Sequence, residues 1–272
     1  MREISKDTTL CISLSARPTN IGTRFHNHLY DVLGLDYVYK AFTTTDIAAA
    51  IGGVRALGIR GCAVSMPWKR DVLALVDEVT RSAAAIEAVN TIVNDDGRLV
   101  AYNTDYLAIA QLLQRHAVAP GSFAVLGAGG MAKACVAALA GAGFGPGLVV
   151  SRREEPGRAL AERYGCEWVP FGAELDVNLL VNATPIGMAG GDEADLLPVS
   201  TADLARARTV FDVVAFPAET PLVRAARAAA TPVITGAEVI ALQAAEQFAL
   251  YTGVRPTDDQ VAEASRISRR PS

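Results

Sequence analysis

Cysteine is scarce in this 272-residue chain: Cys11, Cys62, Cys135 and Cys166 are the only four, none is spaced as C-x-x-C, and none has a histidine beside it. That excludes a disulfide framework and a zinc-ligand spacing, and the four read as reduced, buried small apolar residues. Long apolar runs are also missing, since no uninterrupted stretch approaches the roughly 20 residues of a membrane-spanning helix. The opening MREISKDTT carries charges where a secretory leader needs an apolar core. Nor is there an excess of positive charge: the net value is −4 and the basic residues are scattered, so neither nucleic acid nor an anionic membrane has an electrostatic footprint to meet. Repeats and low-complexity segments do not occur. The expectation is a cytoplasmic protein, monomer or homodimer, whose partner is a small molecule.

What is present is alternation. At this length the chain is nearer two domains than one. In the first hundred residues TLCISL, YVYKAF, GCAVSM, VNTIV and LVAYN read as strands, and FHNHLYDVLGL, DIAAAIGGVRAL and KRDVLALVDEV as amphipathic helices. Strands alternating with helices argue an α/β class with a largely parallel sheet. Asp105 opens the helical DYLAIAQLLQRH, and Pro120-Gly121 closes the link into a second lobe. From Phe123 the βαβ pattern resumes with FAVL, an Ala-rich helix, LVVS, a helix begun at Pro156, LLVNATP, TVFDVV, TPLVRAARAAA and PVIT. After Gly236 come the long helix AEVIALQAAEQFALYTG and a polar tail whose last residues, SRRPS, are expected to fray.

Val125 to Phe144 holds five glycines and no acidic residue. A strand enters Gly127-Ala128-Gly129-Gly130-Met131-Ala132 and a helix leaves it, which is the setting a G-x-G-x-x-A dinucleotide turn requires. Glycines at 127 and 129 let the backbone turn and approach a pyrophosphate, Ala132 lets helix and strand pack closely, and the free N–H groups of the first helical turn face the phosphates. The next strand ends at Ser151-Arg152-Arg153, about two dozen residues on, where an NAD site usually carries Asp or Glu. Guanidiniums offer a planar fork to a phosphate, so the pattern favours NADP. Two solvated arginines paired with Glu154 and Glu155 are the alternative, and Lys133 reads as a surface residue.

GCAVSM runs into Pro67-Trp68-Lys69, placing an ammonium at the carboxyl end of a strand, where open α/β sheets hold ligands. Lysine serves as general acid or base once desolvated or coupled to a carboxylate. Two Asn-Thr pairs, Asn90-Thr91 and Asn103-Thr104, lie at strand ends, the second running into Asp105. Singly these are ordinary cap residues; together they can converge on a polyhydroxy ligand, because amides and hydroxyls both donate and accept. Gln243 and Gln247 share one face of the last long helix, with Gln243 favoured for ligand contact. Tyr30, Tyr102 and Tyr106 read as packing residues.

AVSMPWK, EAVNTI, AYNTD, GAGGMAKA, SRR, VNATPIGM, AETPL and GAEVIALQAAEQF resemble, in order and spacing, the shikimate dehydrogenase family. The resemblance implies two α/β lobes: a substrate domain over 1–105 and 237–272, and a Rossmann-type NADP domain with a parallel sheet over 106–236. It implies NADP-dependent oxidation of a ring alcohol, shikimate or a related cyclic hydroxy-acid such as quinate, to the 3-dehydro ketone. Lys69 and Asp105 would be the proton-transfer pair, and Ser65, Asn90 and Gln243 would hold substrate hydroxyls. Gly127 to Ala132 and Ser151 to Arg153 would hold the dinucleotide, with Gly236 in the same set, and no metal is expected.

Two departures bear on specificity. The family's Ser-x-Ser-Pro turn for the substrate carboxylate is replaced by ARPTNIGTRFHN, offering Asn20, Gly22 and Thr23, and its Tyr-x-Pro stretch carries Ala215 before Phe216-Pro217. These changes resemble a divergent subgroup, slow with shikimate or directed to another substrate. Arg17 and Arg24 are weighed as replacement partners for the carboxylate, with surface salt bridges the favoured fate of each. A sensor of NADP(H) with little catalysis is the alternative function, and a folate-linked dehydrogenase a weaker one, because it leaves the Asn-Thr pairs unexplained.

Overall fold

The computed structural model describes residues 4–270. The chain divides into two compact units, Met1–Thr104 with Ala241–Ser272, and Asp105–Ile240. These boundaries differ by one and four residues from those expected. Each division falls inside a helix, so the polypeptide changes unit without a linker.

The first unit opens with β1 (Thr9–Leu14), α1 (Asn20–Val32), β2 (Tyr37–Phe42), α2 (Ile47–Ala56) and β3 (Gly61–Val64). After a 3-10 turn at Asp71–Leu75 come β4 (Glu78–Val79), α3 (Arg81–Ile86), β5 (Thr91–Asp95) and β6 (Arg98–Tyr102). The strands lie in the order β2-β1-β3-β5-β6-β4. Period-two alternation sends Ile12, Leu14 and Ile92 to one apolar cluster and Cys11 and Val93 to the other.

Two expectations are corrected here. The sheet is mixed: β2, β1 and β3 run parallel and β4 runs parallel to β6, but β5 is antiparallel to both its neighbours, β3 and β6, and forms a hairpin with β6. The hairpin turn is Asp96-Gly97, both at positive φ, the backbone that matches strand twist in a two-residue turn. KRDVLALVDEV is not one helix. The Asp77 carboxylate accepts from the Leu99 N–H at 2.7 Å and from Arg55 at 2.7 Å, which draws the following residues into β4 beside β6.

Helix α4 (Thr104–Arg115) leads into the second unit. There β7 (Phe123–Leu126), α5 (Gly130–Gly141), β8 (Gly147–Ser151), α6 (Glu154–Arg163) and β9 (Glu167–Pro170) are followed by β10 (Leu179–Asn182), α7 (Thr201–Arg206), β11 (Thr209–Asp212), α8 (Pro221–Ala228) and β12 (Val233–Thr235). All six strands are parallel, ordered β12-β11-β10-β7-β8-β9. This is the doubly wound order, whose switch point between β7 and β10 leaves a crevice at the strands' carboxyl ends. Strands buried on both faces account for the near-continuous apolar runs, β7 and β10 being buried throughout. Helix α6 begins two residues before Pro156, which still lies in its first turn.

Helix α9 (Gly236–Thr252) returns the chain to the first unit, where α10 (Asp258–Ser268) ends the fold. The polar tail is therefore largely helical. Thr257 and Gln260 form a reciprocal capping box that starts α10. Of the SRRPS expected to fray, Pro271 and Ser272 lie outside the described residues.

Candidate functional site

In the second unit the glycine turn follows β7 directly. Gly127 sits at φ +114°, and a Cβ there would stand 2.8 Å from the Ala183 carbonyl oxygen and 3.6 Å from Ala132 Cβ. The turn therefore needs glycine for its own backbone. Gly129 and Gly130 differ: a Cβ at either would meet nothing within 4 Å. Packing does not demand glycine at these two positions, and the open space in front of them is what a closely approaching ligand backbone requires. Gly129 is the N-cap of α5, no side chain caps the helix, and no acidic residue sits in its first turn, formed by Gly130, Met131 and Ala132. The orphan N–H groups and the positive end of the peptide dipoles at this turn are an arrangement that favours an anion.

Gly127, Ala128, Gly129, Ser151, Arg152 and Arg153 line one cavity of about 400 Å³, so six of the expected cofactor residues converge. Their roles differ. Ser151 is buried and turned inward, its hydroxyl donating to the Arg153 carbonyl at 2.8 Å and accepting from Trp168 Nε1 at 3.0 Å. It shapes the turn that presents the two exposed arginines. Arg152 lies over the Phe171 ring and forks onto the Glu193 carboxylate, with Nη1 to Oε2 at 3.1 Å and a second, shorter bond from Nη2 to Oε1. The Arg152 guanidinium holds the Glu193 carboxyl below its ordinary value. Gly236 does not line this cavity: a Cβ there would stand 2.4 Å from the Val213 carbonyl, so it serves the packing of α9 against the end of β11.

Sequence reading missed a buried network beneath the cavity's floor. Asn182, at the end of β10, accepts from the Thr184 hydroxyl at 2.6 Å and donates to Asp212 at 3.0 Å. Asp212, at the end of β11, also accepts from the Val214 N–H at 3.1 Å and the Thr220 hydroxyl at 2.5 Å. Burial pushes the Asp212 carboxyl up, against the pull of those donors. The network ties together the loops after β10 and β11, and Thr184, Pro185 and Ile186 of the first of them line the cavity. VNATPIGM and AETPL carried this signal as motifs, but not their pairing.

In the first unit, Ser65 and Lys69 follow β3. The Lys69 carbonyl accepts from the Val89 N–H at 2.7 Å, and the Asn90 carbonyl accepts from the Val64 N–H at 2.8 Å. Lys69 and Asn90 are thus backbone neighbours, with Lys69 half-buried and Ser65 exposed. Asn90 Oδ1 accepts from the Thr91 hydroxyl at 2.9 Å, the Thr104 N–H at 2.8 Å and the Thr104 hydroxyl at 3.2 Å. The two Asn-Thr pairs do meet, through Asn90 and Thr104. The Asn103 side chain donates to the Ala88 carbonyl at 2.9 Å. Asp105 is half-buried in the first turn of α4, where its charge suits the helix dipole.

Helix α1 begins at Asn20, which is exposed, and no side chain caps it. Five buried side-chain polar atoms lack a hydrogen-bond partner among the described residues: His26 Nδ1, Tyr30 OH and Tyr251 OH, which sit among packed aromatic rings, and Thr23 Oγ1 and Asn90 Nδ2. Such atoms are rare and call for an explanation. Gln247, ranked below Gln243 from sequence, is buried and donates to the Thr91 hydroxyl at 2.9 Å and the Asn90 carbonyl at 3.3 Å. Gln243 lies one turn earlier on α9, half-buried. Arg24 donates to the Arg270 carbonyl. Among the described residues no group of three or more His, Cys, Asp or Glu is placed to hold a metal, and no helix is long and apolar enough to cross a membrane.

Comparison with known proteins adds an independent line. Residues 19–92 match the model of the shikimate dehydrogenase substrate binding domain. A "shikimate dehydrogenase-like protein" of Haemophilus influenzae is 52% identical over 267 residues, 98% of each chain. The solved structure of a shikimate 5-dehydrogenase-like protein superposes with a TM-score of 0.97 at 52% identity, covering 98% of this chain and 100% of that one. The shikimate 5-dehydrogenase of Thermus thermophilus, solved with NADP(H) and shikimate, matches with a TM-score of 0.84 at 30% identity over 96% of this chain and 99% of that one. With such identity sustained over nearly its whole length, the chain belongs to the shikimate dehydrogenase family.

Proposed function

We propose that this protein is an NADP-dependent oxidoreductase that interconverts a cyclic hydroxy-acid, shikimate or a relative such as quinate, with its 3-dehydro ketone, and that it is slow with shikimate. The observation that carries the reading is that two of the buried, unpartnered polar atoms, Thr23 Oγ1 and Asn90 Nδ2, lie outside the aromatic cluster that holds the others, in a chain that also holds the open glycine cradle at Gly129 and Gly130. In this reading the cradle and the N–H groups of α5 hold the pyrophosphate, and Arg152 and Arg153 read the 2′-phosphate. Bound NADP supplies the hydride acceptor, a chemistry no side chain provides.

The chain's own share is binding and proton transfer. Ser65, Asn90, Gln243 and Thr23 hold substrate oxygens, and Asn20 stands beside the uncapped start of α1. As the ring carbon is oxidised its hydroxyl proton has to leave, and Lys69 takes it, with Asp105 as the second proton-transfer residue. Replacing two serine hydroxyls by an amide and a glycine keeps a donor at Asn20 and loses the one at Gly22, a charge-assisted hydrogen bond worth about 1.5–3 kcal/mol. That loss supports slow turnover of shikimate.

The same departures favour one other reading, an NADP(H)-sensing protein with little catalysis. An absorbance assay of nicotinamide reduction with shikimate and quinate, each with NADP+ and NAD+, separates the two. Turnover with one pair supports the enzyme; no turnover alongside tight NADP+ binding supports the sensor. The bound structure with substrate tests the altered turn: a ligand carboxylate that never touches Asn20 or Thr23 removes the account of specificity.

A further inference from the structure

Arg152 is already engaged, and by a residue that sequence reading passed over. Its guanidinium forks onto both oxygens of Glu193 while lying 5.0 Å from the Phe171 ring centroid. Arginine, glutamate and phenylalanine all line the cavity that contains the glycine turn. Glu193 is held there by main chain: the Gly187 N–H donates to its carbonyl at 3.0 Å, and the loop's other end is tied down at Asn182. The Glu193 side chain is only 31% exposed, so the carboxylate is part of the cavity wall.

A guanidinium fork matches a carboxylate and a phosphate by the same two parallel N–H donors, and one fork cannot serve both at once. A phosphate monoester entering beside Glu193 also meets a like charge. We propose that Glu193 is a specificity-determining residue: an internal anion that occupies Arg152, is displaced when the 2′-phosphate of NADP binds, and stays in place when NAD binds. This rests on the dinucleotide reading above and names the residue that blunts the preference for NADP. Specificity here is a difference of two affinities, and the repulsive element acts on one ligand alone.

The test is titration calorimetry of wild type, Glu193→Gln and Arg152→Ala/Glu193→Gln with NADP+, NAD+ and 2′,5′-ADP, the last being a probe of the phosphate end alone. Glu193→Gln keeps the main-chain bond to Gly187. Its Kd for NADP+ and for 2′,5′-ADP should fall about tenfold, with NAD+ changed by less than about twofold, and the gain should vanish when Arg152 is also removed. A Kd for NADP+ that is unchanged or weaker in Glu193→Gln, or an equal gain for NAD+, overturns the assignment of Glu193 alone. Failure of all three proteins to bind either dinucleotide overturns the cofactor reading, and this inference with it.

Discussion

Thr23 and Lys69 make opposite demands on an experiment, and the contrast separates binding from chemistry. The Thr23 hydroxyl is buried without a hydrogen-bond partner among the described residues, so its removal costs the fold no hydrogen bond. Thr23→Val should leave the urea midpoint unchanged or slightly raised, while KM for the hydroxy-acid rises about tenfold, the order of one lost hydrogen bond to a charged group. A fall in stability with KM unchanged would make Thr23 a packing residue. Lys69→Ala should lower kcat about 100-fold or more with KM little altered, the scale of general acid–base catalysis; turnover retained within about threefold removes Lys69 from that role. Lys69 and Asn90 were legible as residue types at strand ends. Glu193 was not, because its partner lies 41 positions away and nothing in the local pattern of a loop marks a carboxylate as facing a guanidinium.

At the scale of the element, the turn between β7 and α5 contains glycines of two kinds. Gly127→Ala must place a Cβ 2.8 Å from a carbonyl oxygen at a φ of +114°, so it should cost about 2 kcal/mol or more in stability and weaken dinucleotide binding as well. Gly129→Ala meets open space at ordinary backbone angles. It should leave thermal unfolding nearly unchanged yet weaken NADP+ binding about tenfold or more, because in the proposed reading the added methyl stands where the pyrophosphate approaches. Equal effects of the two substitutions on unfolding temperature would refute the distinction. The βαβ order of this unit was readable, since parallel strands buried on both faces leave continuous apolar runs. The segment around Asp77 was not, because its apolar spacing suits a helix while the Asp77 carboxylate is captured by Leu99 and Arg55, residues of other elements.

At the scale of the whole molecule, one core of the first unit is assembled from both ends of the chain. Phe25, Leu29, Tyr30 and Tyr39 pack with Phe248, Tyr251 and Ala264. His26 lies within this aromatic cluster, stacked on Tyr39 at 4.4 Å between centroids. Burial pushes its imidazole down from 6.5 to about 3, against the smaller pull of Gln247. Between those values the unfolded chain binds a proton that the folded chain does not, so stability is complete above pH 6.5 and declines as pH falls toward about 3. Urea midpoints measured across that window should fall more steeply for wild type than for His26→Phe, which has no proton to take; parallel curves would show that His26 does not drive the loss. The sequence by itself determined the α/β class, the doubly wound half, the glycine turn and the residue types suited to holding an anion or moving a proton, because those follow from local periodicity and backbone stereochemistry. Only the tertiary structure decided which polar atoms are spent on one another and which are left over, as with Gln247, Asp212 and Thr23, because hydrogen-bond satisfaction depends on neighbours that chain folding brings from far along the sequence.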